Sequence, residues 1–235
     1  MQILITAAGN SDIFLSSGFE SPKNLVEVSG VKIIDRVLTT YTNFLPLVTV
    51  ILQDSEVLKY KTDEYLKNVY PNLKVKVISC EAKGALCSAL MSLDPTKMDQ
   101  ELVIIPGDSC ANIDIQNAID YFREESASAG TIVFPSCSSR WSYVRLIENR
   151  RITEIAEKRV ISNWATTGFF YFKEASAFYE GAKWALLNKA GHKGNYYVSH
   201  SFQRLLALQK PLYAYRLESE SSYSNFSTPA DLIKG

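Results

Sequence analysis

Ile3-Leu4-Ile5-Thr6-Ala7-Ala8 is a short run of apolar and small residues, closed by Gly9 and followed by a mostly polar, small-residue loop that continues to Pro22. The run lacks the alternation of a strand with one wet face, so it fits a strand buried on both sides, as in a parallel sheet. Helical periodicity from Asp35 to Phe44 and a second β-rich run from Leu47 to Leu52 follow. This β-loop-α-β opening makes parallel pairing of the two strands the natural expectation.

The alternation continues downstream. Glu56 to Val69 is predicted as an amphipathic helix, Val75 to Ile78 as the third strand, and Gly84 to Leu93 as a helix that begins at a glycine. Leu102 to Ile105 is the fourth strand and runs into Pro106-Gly107-Asp108-Ser109, Ile113 to Glu125 the next helix, and Thr131 to Phe134 the fifth strand. The second half changes character. Tyr143 to Ile147 and Ile152 to Glu157, joined by Glu148-Asn149-Arg150, have the pattern of a hairpin. Thr167 to Phe172 is strongly β-prone, Ala175 to Asn188 and Ser199 to Leu208 are helical, and Leu212 to Leu217 is a last strand. These patterns predict a three-layer α/β sandwich with a mixed sheet, mainly parallel with antiparallel additions. The 235 residues fit one domain, 1–235, with no internal repeat. Ligands of such open sheets sit beyond the carboxyl ends of the strands, so residues just after strands carry the functional expectations.

Composition narrows the function classes. Hydrophobic residues make up 46% of the chain and charged residues 21%, enough apolar material for a large core. Lysine plus arginine and aspartate plus glutamate each total 25, so no one-sign field favours a nucleic-acid track or an anionic membrane. Phosphate binding, if present, is local. Cys80, Cys87, Cys110 and Cys137 form no Cys-x-x-Cys pair, and with only His192 and His200 beside them they do not make a structural zinc pattern. The opening residues have neither a basic leader nor a cleavage site, and no run of about 18 apolar residues occurs. A cytoplasmic location is the resulting expectation.

Three constellations could carry chemistry. Ala7-Ala8-Gly9 ends a strand in small residues that let backbone N–H groups approach a phosphate, and Lys23 returns about one loop later. A plain strand turn with a surface lysine explains the same pattern. Gly107-Asp108 sets a carboxylate at a buried strand's end, where magnesium could take it together with phosphate oxygens and water. A helix cap or a turn residue explains it too. Glu157-Lys158 follows a β segment and precedes Gly168 and the aromatic run Phe169-Phe170-Tyr171-Phe172. Adjacent opposite charges are usually a solvated pair.

In order and spacing these segments resemble the sugar-phosphate nucleotidylyltransferases, whose fold is Rossmann-like and related to the type A glycosyltransferases. The resemblance runs through Ala7-Ala8-Gly9, Pro22-Lys23-Asn24-Leu25, Gly84-Ala85, Gly107-Asp108, Ile155-Ala156-Glu157-Lys158, Asn163, Gly168-Phe169-Phe170, Asn195-Tyr196-Tyr197 and Ser227-Thr228-Pro229-Ala230-Asp231-Leu232. The stretch from Trp141 to Gly168 looks most like the branch found among capsule and surface-polysaccharide genes. Some members of that branch are cytidylyltransferases acting on phosphocholine or a phospho-amino acid such as phosphoglutamine, and others use sugar 1-phosphates. The resemblance implies transfer of a nucleoside monophosphate from a nucleoside triphosphate, with CTP favoured, to a phosphorylated small acceptor, with Mg2+ as cofactor and pyrophosphate as product.

The resemblance also implies residue roles. Ala7, Ala8, Gly9, Asn10, Gly84, Ala85, Ser88 and Gly107 lie against the nucleotide in a half of about 1–135. Lys23 screens the reacting phosphate, Asp108 binds the metal, and Lys158 contacts the acceptor phosphate. Glu157, Asn163, Thr167 and Gly168 shape an acceptor pocket in a half of about 136–235. Two departures from the family pattern stand out. Ser11 occupies the place of a second loop glycine and no basic residue lies between Gly9 and Pro22, while Asn225 stands where relatives carry a second metal-binding aspartate. Asn225 is a poorer magnesium ligand than a carboxylate, and Asp114 or Asp231 could approach instead. A glycosyltransferase and a non-catalytic nucleotide-binding member are the competing functions. The aromatics Trp141, Trp164 and Tyr197 could line a pocket or a homodimer interface.

Overall fold

The computed structural model describes residues 1–79 and 82–234, so Cys80 lies outside the described residues. Gln2–Thr6 sits between Val48–Gln53 and Leu102–Pro106 and runs parallel to both, and Lys74–Ile78 continues the parallel part beyond Val48–Gln53. On the other side Trp164–Phe172 pairs antiparallel with Leu102–Pro106 and with Ala129–Pro135, and meets Ser142–Leu146 where Ala165 faces Tyr143. Ile152–Glu157 closes the expected hairpin with Ser142–Leu146, and Leu212–Arg216 adds in parallel to Ala129–Pro135. The mixed, Rossmann-like sheet expected from the sequence is therefore present.

Alternate residues along the central strands feed two cores, as strand geometry requires. Ile3, Ile5, Val103 and Ile105 face one side with Ile34, Leu38, Leu66 and Phe122 from the covering helices. Leu4, Leu102 and Ile104 face the other with Leu86, Phe178 and Phe202. Both faces are covered, which is why these strands carry no polar alternation.

Three local departures from the sequence expectations have physical causes. The Glu56 to Val69 helix is two helices, Asp54–Tyr60 and Thr62–Val69, separated by Lys61 in the left-handed region at φ 55°. A straight helix would set positions 56 and 62 about 120° apart around its axis. The break instead turns the buried Thr62 hydroxyl back to donate to Glu56 Oε1 at 2.9 Å. The loop after Gly9 holds a short helix, Asp12–Ser16, whose buried Phe14 anchors a third cluster with Val26, Val28, Ile33 and Phe226. Five residues are too few to show a period. A ribbon of Ser109–Ala111 with Tyr223–Asn225 also went unforeseen, because each strand has three residues and the partner lies over a hundred positions away.

Behind the end of the first strand is a buried polar post. Asn24 Nδ2 donates to Ala7 O at 2.8 Å and to both carboxylate oxygens of Glu56 at 3.0 Å. Glu56 is 5% exposed, and burial pushes its carboxyl above the usual glutamate range despite the bonds from Asn24 and Thr62. Asn24 Oδ1 is buried and meets no donor among the described residues. A raised folded-state pKa contributes stability that is complete below the ordinary glutamate range and is lost as pH rises through the folded-state value. Glu56→Gln keeps one acceptor oxygen for Asn24 Nδ2 and removes the charge. Its melting temperature relative to wild type is expected to climb between about pH 4 and pH 7. A flat difference across that range in thermal melts would contradict the assignment.

Trp164–Phe172 carries an irregularity between Thr166 and Phe170, where four steps on this strand oppose two on Ala129–Pro135. Gly168 sits there at φ +86°, and a Cβ on it would stand 2.8 Å from Pro106 Cγ. Gly168→Ala is expected to lower stability by about 1–3 kcal/mol, from left-handed strain plus that overlap, and to show as a lower denaturation midpoint. An unchanged midpoint would mean that the bulge relaxes freely.

Candidate active site

The carboxyl ends of the central strands open into one cavity, as the open-sheet rule predicts. Asp108 on one wall and Glu157 and Lys158 on the other both line it, with Thr167 and Gly168 of the bulge between them. Residues that the sequence separates by fifty positions share this space because Trp164–Phe172 crosses from the Leu102–Pro106 strand to the Ser142–Leu146 hairpin.

The wall built by the first and fourth strands is set by a close approach. Gly107 N donates to Thr6 O at 3.1 Å, and a Cβ at Gly107 would stand 2.7 Å from Ala7 Cβ. Only a glycine beside an alanine lets the two strand ends meet this closely. Their exits then come together, and Lys23 Nζ reaches Asp108 Oδ2 at 2.6 Å with both side chains more than four-fifths buried. Lys23 N donates to Ser11 Oγ at 3.0 Å, so the serine in place of the second loop glycine anchors the lysine's backbone. Asn10 closes a local turn with Asp12, accepting from Asp12 N at 2.6 Å and donating to its carboxylate at 2.7 Å. The N–H groups of Ala8, Gly9, Asn10 and Ser11 meet no protein acceptor among the described residues. A Cβ on Gly9 would stand 3.4 Å from Lys23 Nζ.

Across the cavity, Lys158 holds a left-handed backbone at φ 54°. Its N–H donates to Trp141 O at 3.1 Å and its ammonium donates to Arg140 O, which folds the side chain back along the Arg140-Trp141 segment. The ammonium also lies 5.3 Å from the Tyr197 ring centre. Glu157 has its side chain 4% exposed, and Oε2 accepts from Ser142 Oγ and, at 2.7 Å, from Ser199 Oγ. Arg140 spans to the C-terminal segment, donating to both oxygens of Asp231 at 2.7 and 2.8 Å and to Asn225 Oδ1 at 2.9 Å. The Asp231 bond raises the Arg140 pKa. Burial works against the Asp231 carboxylate, but the bonds from Arg140 and Thr228 prevail and hold its pKa below the usual range. Tyr223 donates to Thr167 O at 3.1 Å, tying the same segment to the bulge, and burial pushes its phenol upward.

The remaining predicted residues fall in different places. Ala85 lines the cavity and Gly84 precedes it at φ +92°, where a Cβ would stand 2.5 Å from Tyr196 O. Ser88 is buried within its own helix and donates to Gly84 O at 3.3 Å, so its hydroxyl does not face the cavity. Asn163 is exposed outside the cavity, and its carbonyl accepts from Ser136 N at 3.0 Å, because the strand that begins at Trp164 carries the preceding residue past the cavity's edge. Asn225 lines the cavity, but its amide oxygen accepts from Arg140 and from Ser227 N at 3.2 Å. The Asn225 oxygen thus faces a guanidinium, a different partner from the metal expected of it. Asp114 caps the Ile115–Glu124 helix instead, accepting from Gln116 N at 2.9 Å. No group of three or more His, Cys, Asp or Glu residues able to hold a metal occurs among the described residues.

Sequence reasoning missed Arg140, Ser142 and Ser199. Their partners lie 15 to 91 positions away and leave no local signal. Trp141 and Tyr197 line the cavity, whereas Trp164 is half-buried beneath Arg216 and does not form an exposed patch.

A family model described as nucleotidyl transferase matches residues 15–220. The chain is 24% identical over 228 residues to the UTP–glucose-1-phosphate uridylyltransferase AglF of Haloferax volcanii, covering 93% of this chain and 88% of that protein. Among solved structures it resembles the nucleoside-diphosphate-sugar pyrophosphorylase of Vibrio cholerae, with a TM-score of 0.81 at 14% identity over 100% of this chain and 98% of the other. It also resembles the inositol-1-phosphate CTP transferase of T. maritima, with a TM-score of 0.73 at 16% identity over 98% and 90% of the two chains. No described helix is long and apolar enough to cross a membrane. With Asp108, held by Lys23, and Lys158 lining one cavity, and a family match over residues 15–220, the chain belongs to the nucleotidyl transferase family.

Proposed function

We propose that this chain transfers a nucleoside monophosphate from a nucleoside triphosphate to a phosphorylated small acceptor. An acceptor phosphate oxygen attacks the α-phosphorus, the bond to the β-phosphate bridging oxygen breaks, and pyrophosphate leaves. The observation that carries the proposal is the single cavity lined by Asp108 and by Lys158, with Lys23 paired to the Asp108 carboxylate from behind. The nucleotide lies over residues of the first half, about 1–135, and the acceptor over those of the second, about 136–235.

The row of N–H groups from Ala8 to Ser11 offers a phosphate cradle of backbone donors, which supplies what an arginine in the loop would otherwise give. Lys23 places a compact ammonium where negative charge develops, and no proton has to be moved by it. Gly84 and Ala85 leave the base a wall of backbone, since Tyr196 O fills the space of any side chain at position 84. Lys158 orients the acceptor phosphate, which is anionic near neutral pH and needs alignment more than a general base. Glu157, nearly buried and fixed by two serine hydroxyls, keeps its remaining oxygen 3.7 Å from the Lys158 ammonium and shapes the acceptor pocket by setting the place of that cation.

The donor set fits a divalent ion of the magnesium type. Asp108 supplies one carboxylate, of which Oδ1 meets no protein donor among the described residues, and magnesium accepts one or two carboxylates completed by phosphate oxygens and water. Bound there, the ion screens the triphosphate charge and makes the α-phosphorus more electrophilic.

The sequence resemblance favours CTP, and the relatives' names put UTP beside it. For the acceptor, the aromatic faces matter. Arg140 lies 4.4 Å from the Trp141 ring centre and Lys158 5.3 Å from that of Tyr197, so the rings a quaternary ammonium would use already carry protein cations. A sugar 1-phosphate or a phospho-amino acid therefore suits the cavity better than phosphocholine.

A matrix of the four nucleoside triphosphates and TTP against glucose 1-phosphate, phosphoglutamine and phosphocholine, scored by pyrophosphate release, tests the proposal. Release is expected with one or more of the first two acceptors, to be abolished by a chelator and restored by Mg2+. Lys23→Ala is expected to lower kcat/KM by about 10²–10³. Silence across the matrix, or a Lys23→Ala variant as active as wild type, would overturn the proposal.

A further inference from the structure

Arg140 lines the cavity beside Lys158, and its guanidinium is fixed on three sides. Asp231 takes one hydrogen each from Nη1 and Nη2, Asn225 Oδ1 takes the second from Nη2, and the Trp141 ring covers the plane. Three of the five guanidinium N–H donors are thereby used. Nε and the second Nη1 hydrogen meet no protein acceptor among the described residues, and the side chain keeps 38% of its surface exposed.

Two features separate this arrangement from a simple clasp between loop and C-terminal segment. Asp231 has its side chain 8% exposed, so the pair carries a desolvation cost that a neutral contact at the same place would avoid. The cation is also coupled to Lys158, whose ammonium donates to the Arg140 carbonyl, so the two positive groups line the cavity side by side although they come from segments 18 positions apart. Arginine, unlike lysine, can be held by one edge and still present further donors in a fixed plane.

We propose that Arg140 is an acceptor-binding residue: Asp231 and Asn225 orient its guanidinium so that the remaining N–H groups meet the acceptor's phosphate beside Lys158. This rests on the nucleotidyl-transfer reading above. Asn225 thus serves the anion-binding wall, in keeping with its oxygen facing a cation.

The test compares Arg140→Gln and Arg140→Lys with wild type in steady-state pyrophosphate release, varying acceptor and nucleoside triphosphate separately. Arg140→Gln is expected to raise the acceptor KM about tenfold to a hundredfold while the triphosphate KM stays within about twofold. Arg140→Lys is expected to fall between, keeping charge without the fork. An unchanged acceptor KM, a parallel loss for both substrates, or equal behaviour of the two variants would overturn the proposal. Should Arg140→Gln not fold, the Lys variant alone must show the acceptor-only change. If wild type turns over no substrate pair, nucleotidyl transfer fails as a reading, and calorimetric titration of the full chain with glucose 1-phosphate and with inorganic phosphate decides the role of Arg140. Binding by wild type that weakens about tenfold or more in the variant upholds it, whereas equal binding, or none in wild type, overturns it.

Discussion

The close contact between Gly107 and Ala7 is the constraint on which the site depends. Parallel pairing of Gln2–Thr6 with Leu102–Pro106 aligns the two strand ends, but alignment alone leaves room for side chains. With a hydrogen at position 107 and a methyl at position 7, the chains leave the sheet together and the Lys23 ammonium reaches the Asp108 carboxylate. The buried post of Asn24 and Glu56 fixes the Ala7 carbonyl from behind, so the same point is held from two directions.

A second organising element is the C-terminal segment from Tyr223 to Asp231. It pairs with Ser109–Ala111, donates from Phe226 N to Asp108 O at 2.7 Å, and receives Arg140 at Asn225 and Asp231. One segment thereby links the strand end that carries Asp108 to the loop that carries Arg140 and supports Lys158. Ion pairs of this kind contribute little to stability when exposed. Their value here is geometric, because they fix cations relative to a carboxylate across a cavity.

The sheet was largely legible because burial on both faces removes polar alternation, and such runs stand out against turn residues. The hairpin from Tyr143 to Glu157 was legible for a different reason, since two β runs flank a short polar link. Less was legible in the site. Lys23, Asp108, Glu157 and Lys158 could be named from their order along the chain, and the fold brings all four to one place. Ser88 and Asn163 could be named the same way, yet one hydroxyl turns into its helix and the other side chain lies outside the cavity.

The sequence by itself determined the alternation of strands and helices, the small residues at strand ends and the inventory of charged groups, since each depends on neighbours within a few positions. Only the tertiary structure decided how those charges pair. Arg140 meets Asp231 across 91 positions and Asn225 across 85, Lys23 meets Asp108 across 85, and the Thr166 to Phe170 irregularity exists only relative to its partner strand. Hydrogen-bond direction and ion pairing over such separations follow from strand order and register, which no local pattern encodes.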